Sequence, residues 1–481
     1  MRLFDFFRKR KKMRTRIRRN YTAAKIDRLV ADWSTQLQSV DREVKAALRI
    51  IRARARDAAR NDPYAARFLS LLKTNVIGSA GIGLQVRARG PNGNLDTYAN
   101  NLIEREWKQW GRRGTCTVDG RLSWIDCQNL FMETLARDGE VLVRLVDGWQ
   151  GNDYRFALDF IDPDFLDDSY DDATNKNQPI KMGIEYDAYN RPLNYYLSTQ
   201  HPTGAYGYHV AGDQRQRLPA SDIIHAFSTH RSNQGRGISW LAPSLYLLKM
   251  LNGYLEAELV ASRLGASKMG FFASSDSEYA GDDIEDFSPI TEASPGTFDQ
   301  LPAGTELKSW DPEHPTTAFE AFTLSILRGI SSGFDRSYVS IANDLRAVSY
   351  SSIRKGDLED RDHYRTLQTF AVEHLHQEVF ERWLRMALTT QAVNLPYSKY
   401  DKFNAPIWRP RGWAWVDPLK EVKANIGAVQ SGFKSMQDVA GEQGRDITEV
   451  FDALQTEKDL AEQYGLTLQI LEGEQAKWKQ P

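Results

Sequence analysis

The feature that most constrains how this chain can fold is a segregation of charge. Residues 1–60 hold 19 Lys or Arg against 6 Asp or Glu, whereas the remaining residues hold 43 against 58. A formal net charge of -2 conceals that split. Like charges at such density repel one another inside a compact fold, so a basic arm on an acidic body needs neutralising partners. The density peaks in RKRKKMRTRIRR. There Arg8, Lys9, Arg10, Lys11, Lys12, Arg14, Arg16, Arg18 and Arg19 form a candidate arm for a polyanion or an acidic assembly partner. Residues 21–60 either share that role or form an amphipathic helix that is solvated or held by a partner.

Beyond the arm, the patterning is mixed helix and strand. Asn61-Asp62-Pro63 reads as a helix start, with Tyr64, Phe68, Leu71 and Leu72 on the apolar face behind it. NVIGSAGIGLQVRA then turns from helix into strand on three glycines, and residues 100–137 read as helices. Val141–Val146, Phe156–Ile161 and Met182–Tyr186 read as strands. MGIEYDAYNRPLNYYLS is a hairpin pattern, with two alternating runs about a polar turn. A helix follows Pro243, with Leu247, Leu248, Leu251, Leu255 and Leu259 on one stripe and Ala257, Ala261 and Gly265 on a second. Small residues four apart let another backbone approach closely. Residues 273–317 turn rich in Ser, Asp, Glu, Pro and Gly. A short helix is expected over Phe319–Ile330 and a long one over Asp357–Ala392, striped by Leu367, Ala371, Leu375, Val379, Trp383 and Ala387.

Near the end, RGWAWVDPLKEVKANIGA places Trp413 and Trp415 on one face of an extended segment. Asp417 and Pro418 then suit the start of a helix carrying Val422, Ile426, Val429 and Phe433. Asp446 and Glu449 resemble a capping box, with Ile447, Val450, Phe451 and Leu454 as the expected buried face. At 481 residues the chain is long enough for two to four domains. No uncharged apolar run approaches the ~20 residues that span a bilayer. The two cysteines, Cys116 and Cys127, cannot build a disulfide framework or a four-ligand zinc site. A reducing cytoplasm, with no membrane partner, is the expected setting.

Catalytic patterns are present only as fragments. GISSG, Gly329–Gly333, matches the nucleophile-elbow spelling around Ser331, but that chemistry needs a strand before the serine, and FEAFTLSILR reads as helix. Ser352 and Lys355 spell S-x-x-K without the companion motifs. His374 and His376, two apart on a helix, point to different faces and make a poor metal pair. DPDFLDDSYDD, Asp162–Asp172, lacks EF-hand spacing and reads as a solvated loop. No phosphate-binding P-loop occurs. A serine hydrolase acting through Ser331, such as a capsid-maturation protease, and a basic-arm nucleic-acid-binding protein without a ring are the competing readings. No catalytic residue, metal ligand or cofactor is expected.

Taken in order, six segments resemble the lambda family of tailed-phage portal proteins: NDPYAARFLSLLKTNVIGSAGIGLQ, DGEVLVRL, GIEYDAYNRPLNYYL, HAFSTHRSNQGRGISWLAPSLYLLKMLNGYLEAELVAS, VSYSSIRKGDLEDR and GWAWVDPLKEVKANIGAVQSG. Ser349 stands where that pattern has asparagine. The resemblance runs from about Asn61 to Leu466 and implies, beyond the basic helical arm at 1–60, an α+β portal fold: an α/β wing at 61–235, a stem helix at 236–268, a small clip at 269–317 and a second stem helix at 318–335. A channel loop at 336–352, a long helix at 353–400 and a junction with a helical crown at 401–481 would complete it. It further implies a ring, typically a dodecamer, at one capsid vertex, through which double-stranded DNA is packaged and ejected. The implied partners are the terminase large subunit, a head-tail connector or adaptor, and the major capsid and scaffold proteins. The implied location is the virion, after assembly in the host bacterial cytoplasm. Asn343, Asp344, Arg346, Ser349 and Tyr350 would face the DNA channel.

Overall fold

In the computed structural model of the chain, the described residues are 24, 28, 31–175, 177–199, 215–266, 270–274, 305–309, 318–346, 349–413, 418–442, 445 and 447–465. The candidate arm Arg8–Arg19 lies outside them, as do Trp415, Asp417, Asp446 and most of the acidic segment at 273–317.

Helix α1 (Val40–Asn61) leads directly into α2 (Pro63–Leu72). The expected start holds: Asp62 accepts from the amides of Tyr64 and Ala65 at 2.9 and 2.8 Å, and Pro63 takes the first position. A π-helical turn at Lys73–Ile77 ends at Gly78 (φ 76°), and the chain enters β1 (Gly83–Val86). Two helices follow, α3 (Thr97–Trp110) and α4 (Trp124–Asp138). The second is closed by a reciprocal Ser123–Asp126 capping box that the sequence reading did not pick out.

The sheet region has two parts. Strands β2 (Glu140–Asp147), β3 (Phe156–Ile161) and β8 (Ile223–Phe227) form an antiparallel sheet with β2 central. Strands β4 (Ile180–Lys181), β5 (Ile184–Tyr186), β6 (Pro192–Ser198) and β7 (Arg215–Pro219) form a meander, which contains the expected hairpin. Beyond it, α5 (Ala242–Ala266) packs against α6 (Phe319–Gly333), and between them β9 (Gly270–Ser274) pairs with β10 (Thr305–Ser309).

The long helix differs from expectation at both ends. It comprises α8 (Tyr350–Ala371), a π turn at Val372–His376 and α9 (Gln377–Thr389), preceded by the short α7 (Tyr338–Ala342). The segment expected as a loop over 336–352 is therefore helical at both ends. Ser349 is the N-cap of α8: its side chain accepts from the Ser352 amide at 3.2 Å, which starts the helix earlier than hydrophobic periodicity alone suggests. The expected stripe is buried along its whole length. Residues four apart drift around a regular α-helix, and the π turn, with its extra residue, slows that drift.

After α9 come α10 (Tyr400–Phe403) and β11 (Pro406–Arg409), which pairs antiparallel with β1, Gly83 opposite Arg409. The chain ends in α11 (Pro418–Gln430), α12 (Met436–Glu442) and α13 (Ile447–Gln463). Trp413 anchors the tryptophan-rich junction. Its ring stacks on Tyr364 and its indole donates to Asn75 Oδ1 at 3.2 Å, pinning the segment to α8 and to the turn after α2. The core is aromatic. Trp107 lies 4.8 Å from Trp110, 5.4 Å from Trp124 and 5.1 Å from Trp383, with Phe380 and Trp408 around it.

Candidate functional site

The basic character of α1 meets the acidic stretch Asp162–Asp172 within the same chain. Lys45, Arg49, Arg52 and Arg56 recur at helical spacing on one face. Lys45 pairs with Asp171, Arg49 Nε reaches Asp168 at 2.8 Å, Arg52 Nη1 reaches Asp164 at 2.8 Å, and Arg56 Nη2 reaches Asp162 at 2.7 Å. Helix and acidic stretch thus run antiparallel, one rung matching the next. This corrects the reading of DPDFLDDSYDD as a solvated loop. It also joins to the sheet region a helix that a boundary at residue 60 would separate. Burial would lower the Arg56 guanidinium, but Asp138 and Asp162 raise it above its ordinary value.

Deeper in, Glu140 is fully buried at the start of β2. Arg236 Nε reaches its two oxygens at 3.0 and 2.9 Å, Arg52 Nη2 reaches it at 2.6 Å, His225 Nε2 lies 3.1 Å away, and the Gly237 amide donates at 3.0 Å. Burial would push this carboxyl up, yet Arg236, His225 and Arg52 hold it well below its usual range. Burial keeps His225 below its ordinary value, against the pull of Glu140. Two of the segments that carry the family resemblance, DGEVLVRL and SNQGRGISW, therefore meet as an ion pair. Their glycines permit it. A Cβ on Gly237 would come within 2.1 Å of the Gly139 carbonyl oxygen, and Gly139 itself has φ 90°. Sequence reasoning missed this pairing. The signal was there: a lone Glu opening an apolar strand and a lone Arg between two glycines, each needing a buried partner.

The expected channel residues gather where α6, α7 and α8 converge. Asn343 ends α7 in the left-handed region (φ 53°) and is exposed. Asp344 accepts from Tyr338 Oη at 3.0 Å and from the Arg346 amide and Nε at 3.0 and 3.1 Å, while Arg346 Nη1 reaches Glu320 on α6 at 3.3 Å. The hydrogen bonds from Arg346 hold the Asp344 carboxyl below its ordinary value. Ser349 is exposed at the head of α8, which begins at Tyr350. The knot is polar, surface-facing and fastened at both ends. Asp360 secures α7 by accepting from Ser337 and Ser340, the latter at 2.6 Å.

The residues weighed for catalysis lie elsewhere. Ser331 sits inside α6, buried, and its hydroxyl donates to the Leu327 carbonyl at 2.8 Å. A hydroxyl turned back onto its own helix is not the exposed strand-to-helix elbow that the spelling suggests. Ser352 lies in the first turn of α8, and Lys355 pairs with Glu359 one turn on. His374 stacks on Phe370, whereas His376 is buried against Trp124 and Trp408. Cys116 and Cys127 are free and buried, and the neighbouring Cys116 thiol, together with burial, pushes the Cys127 thiol up.

Comparison with known proteins bears on the same architecture. The family model described as "Phage portal protein, lambda family" matches residues 27–368. The chain is 34% identical over 445 residues to the probable portal protein of Halomonas phage phiHAP-1, covering 91% of this chain and 85% of that one. It is 22% identical over 470 residues to portal protein B of Escherichia phage lambda, covering 87% and 85% respectively. Among solved structures, a chain from the virion of a native gene transfer agent particle aligns with a TM-score of 0.44 and 14% identity, over 85% of this chain and 99% of that one. A match across most of the sequence, and a relative at one-third identity over nearly all of it, make this chain a member of the lambda family of phage portal proteins.

Proposed function

We propose that this portal protein assembles into a closed ring, on the order of twelve copies, whose central hole conducts double-stranded DNA during packaging and ejection. The observation that carries the reading is the amount of apolar surface on helices that have no cover for it among the described residues. Tyr246, Met250, Leu259 and Val260 on α5, and Phe322 on α6, are exposed. So are Leu419, Val422 and Ile426 on α11, Phe433 and Met436 beyond it, and Phe451 and Leu460 on α13. Apolar faces on this scale mark association surfaces, and a closed ring satisfies the same faces on every copy.

In that ring the knot of Asn343, Asp344, Arg346, Ser349 and Tyr350 borders the channel. The excess acid beyond residue 60 keeps the duplex from adhering, because phosphate contacts supply most non-specific affinity. The virion vertex is the site of action, and a terminase, a connector and the capsid and scaffold proteins are the partners. The role is structural, with no catalytic step. The arm Arg8–Arg19 serves a polyanion or an acidic partner, a reading supported by its charge density. Native mass spectrometry followed by electron microscopy tests the proposal. A ring with a central hole, and those five residues nearest its axis, is expected. A protein monomeric in every condition, scaffold included, overturns it.

A further inference from the structure

A cavity of about 340 Å³ opens where α5 and α6 meet the sheet region, walled by Phe68, Trp240, Pro243, Phe334 and Leu367. Beside these apolar walls the lining carries His230, Asp335, His363 and one arginine, Arg336, 6% exposed. Its guanidinium lies over the ring of Tyr364 at 4.6 Å and over that of Phe68 at 5.8 Å. Nη1 donates to the Asp335 carbonyl at 2.6 Å, and Nε has no hydrogen-bond partner. The nearby carboxylates are engaged elsewhere. Asp335 pairs with His363 Nδ1 at 2.8 Å, and Asp360 accepts from Ser337 and Ser340. Two other buried arginines, Arg52 and Arg236, each hold Glu140 in an ion pair. Arg336 makes no direct ion pair among the described residues, and burial pushes its guanidinium below the ordinary value against the pull of Tyr364, Asp360 and Asp335. A buried cation without a directly paired anion is costly, and an arriving carboxylate lowers that cost.

The surface that leads to the cavity indicates where the carboxylate comes from. From Pro243 in the cavity wall, α5 presents Tyr246, Met250, Gly253, Ala257 and Val260 at helical spacing. Tyr246, Met250 and Val260 are exposed, and a Cβ on Gly253 would meet nothing within 4 Å. A second helix can approach closely along that line and is then delivered to the cavity mouth. We propose that the cavity receives a carboxylate side chain from a second copy of this chain, which pairs with Arg336 as the copies pack. The inference rests on the ring reading above. It makes Arg336 a group that is strained in the free subunit and satisfied in the assembly.

The test is Arg336→Met in the full chain, with melting of the dilute subunit and ring population by native mass spectrometry read separately. The dilute variant is expected to melt higher than wild type, because an unpaired buried charge is gone. Its ring should require about ten-fold or more protein to form, because the cross-copy pair is lost. Arg336→Lys should restore part of the ring. A photo-crosslinker at Ser228, on the cavity rim, should give covalent dimers that map to an acid-bearing peptide of the other copy. A variant that melts lower yet assembles normally overturns the proposal while leaving the ring reading intact. Wild type without any ring overturns both. Phenylacetate, added as a probe, distinguishes the remaining source. If it raises the melting temperature of wild type but not of Arg336→Met and leaves ring population unchanged, the cavity takes a free carboxylate and the cross-copy pairing is wrong.

Discussion

The sheet region and the C-terminal helices handle their apolar residues in opposite ways. Around β2, α3 and α9 the large side chains close on one another: Trp110 and Trp383 are fully buried, and even the polar Glu140 and His376 are sealed in. Along α11, α12 and α13 a comparable helical spacing leads outward, with Phe433 at 86% and Phe451 at 52% exposure. The spacing of Ile447, Val450, Phe451 and Leu454 led to an expectation of burial. Within one chain that face is at best half-buried, and Phe451 is open. Amphipathicity states that a face wants cover; it does not state whose. One region is closed among the described residues, and the other leaves its apolar face open.

The sharpest break in that contrast comes from the buried ion pair. Arg236→Ala leaves Glu140 charged in a closed interior and should cost about 3–5 kcal/mol of subunit stability, read by chemical denaturation. A loss below about 1 kcal/mol would mean the interior admits water and is not the sealed region described.

Acid should act on the inner region next. Burial holds His376 to about 4, and the shifts of His225 and His363 go the same way. The folded-state value lies below the unfolded one, so the unfolded chain binds the proton first as pH falls. Stability is therefore complete above about pH 6.5 and is lost progressively towards pH 4, by about 3 kcal/mol for His376 alone. Glu140, depressed below the carboxylate range, adds its loss only at lower pH still. Melting temperature against pH checks the slope, and His376→Phe should flatten it.

A smaller effect sharpens the comparison at α6. Ser331→Ala removes a buried hydroxyl bonded within its own helix and should change stability by about 1 kcal/mol, with assembly unaltered. A hydrolytic activity lost in this variant would contradict the structural role.

The smallest change in subunit stability is expected where exposure is greatest. Phe451→Ser should stay within about 0.5 kcal/mol of wild type by denaturation, yet reduce ring formation by native mass spectrometry. Unchanged assembly would remove α13 from the interface.

Local patterns in the sequence were enough to place the start at Asp62-Pro63, the strand Val141–Val146, the hairpin and the helix that leads into Ser331, because neighbours along the chain decide them. The family resemblance was carried by the same short segments. Contacts between distant segments had no local signal. The ladder from Lys45 to Arg56 against Asp171 to Asp162 could be seen only as two opposite charge runs: the acidic one read as a solvated loop, the basic one as a polyanion-binding segment or an amphipathic helix, solvated or held by a partner. The junction's tryptophan was visible, but its partners Tyr364 and Asn75 were not.

What the sequence determined by itself is therefore most of the long helices, the strands at Val141–Val146 and Phe156–Ile161, the hairpin, the segregation of charge and the family, each written in residues a few positions apart. The tertiary structure alone decided that Glu140 and Arg236 meet, that β1 pairs with β11, that Ser331 is shut inside a helix and that Arg336 Nε is buried with no hydrogen-bond partner among the described residues. The physical reason is that burial, desolvation and ion pairing depend on which groups share a volume. Chain order fixes that volume only after the whole subunit has closed.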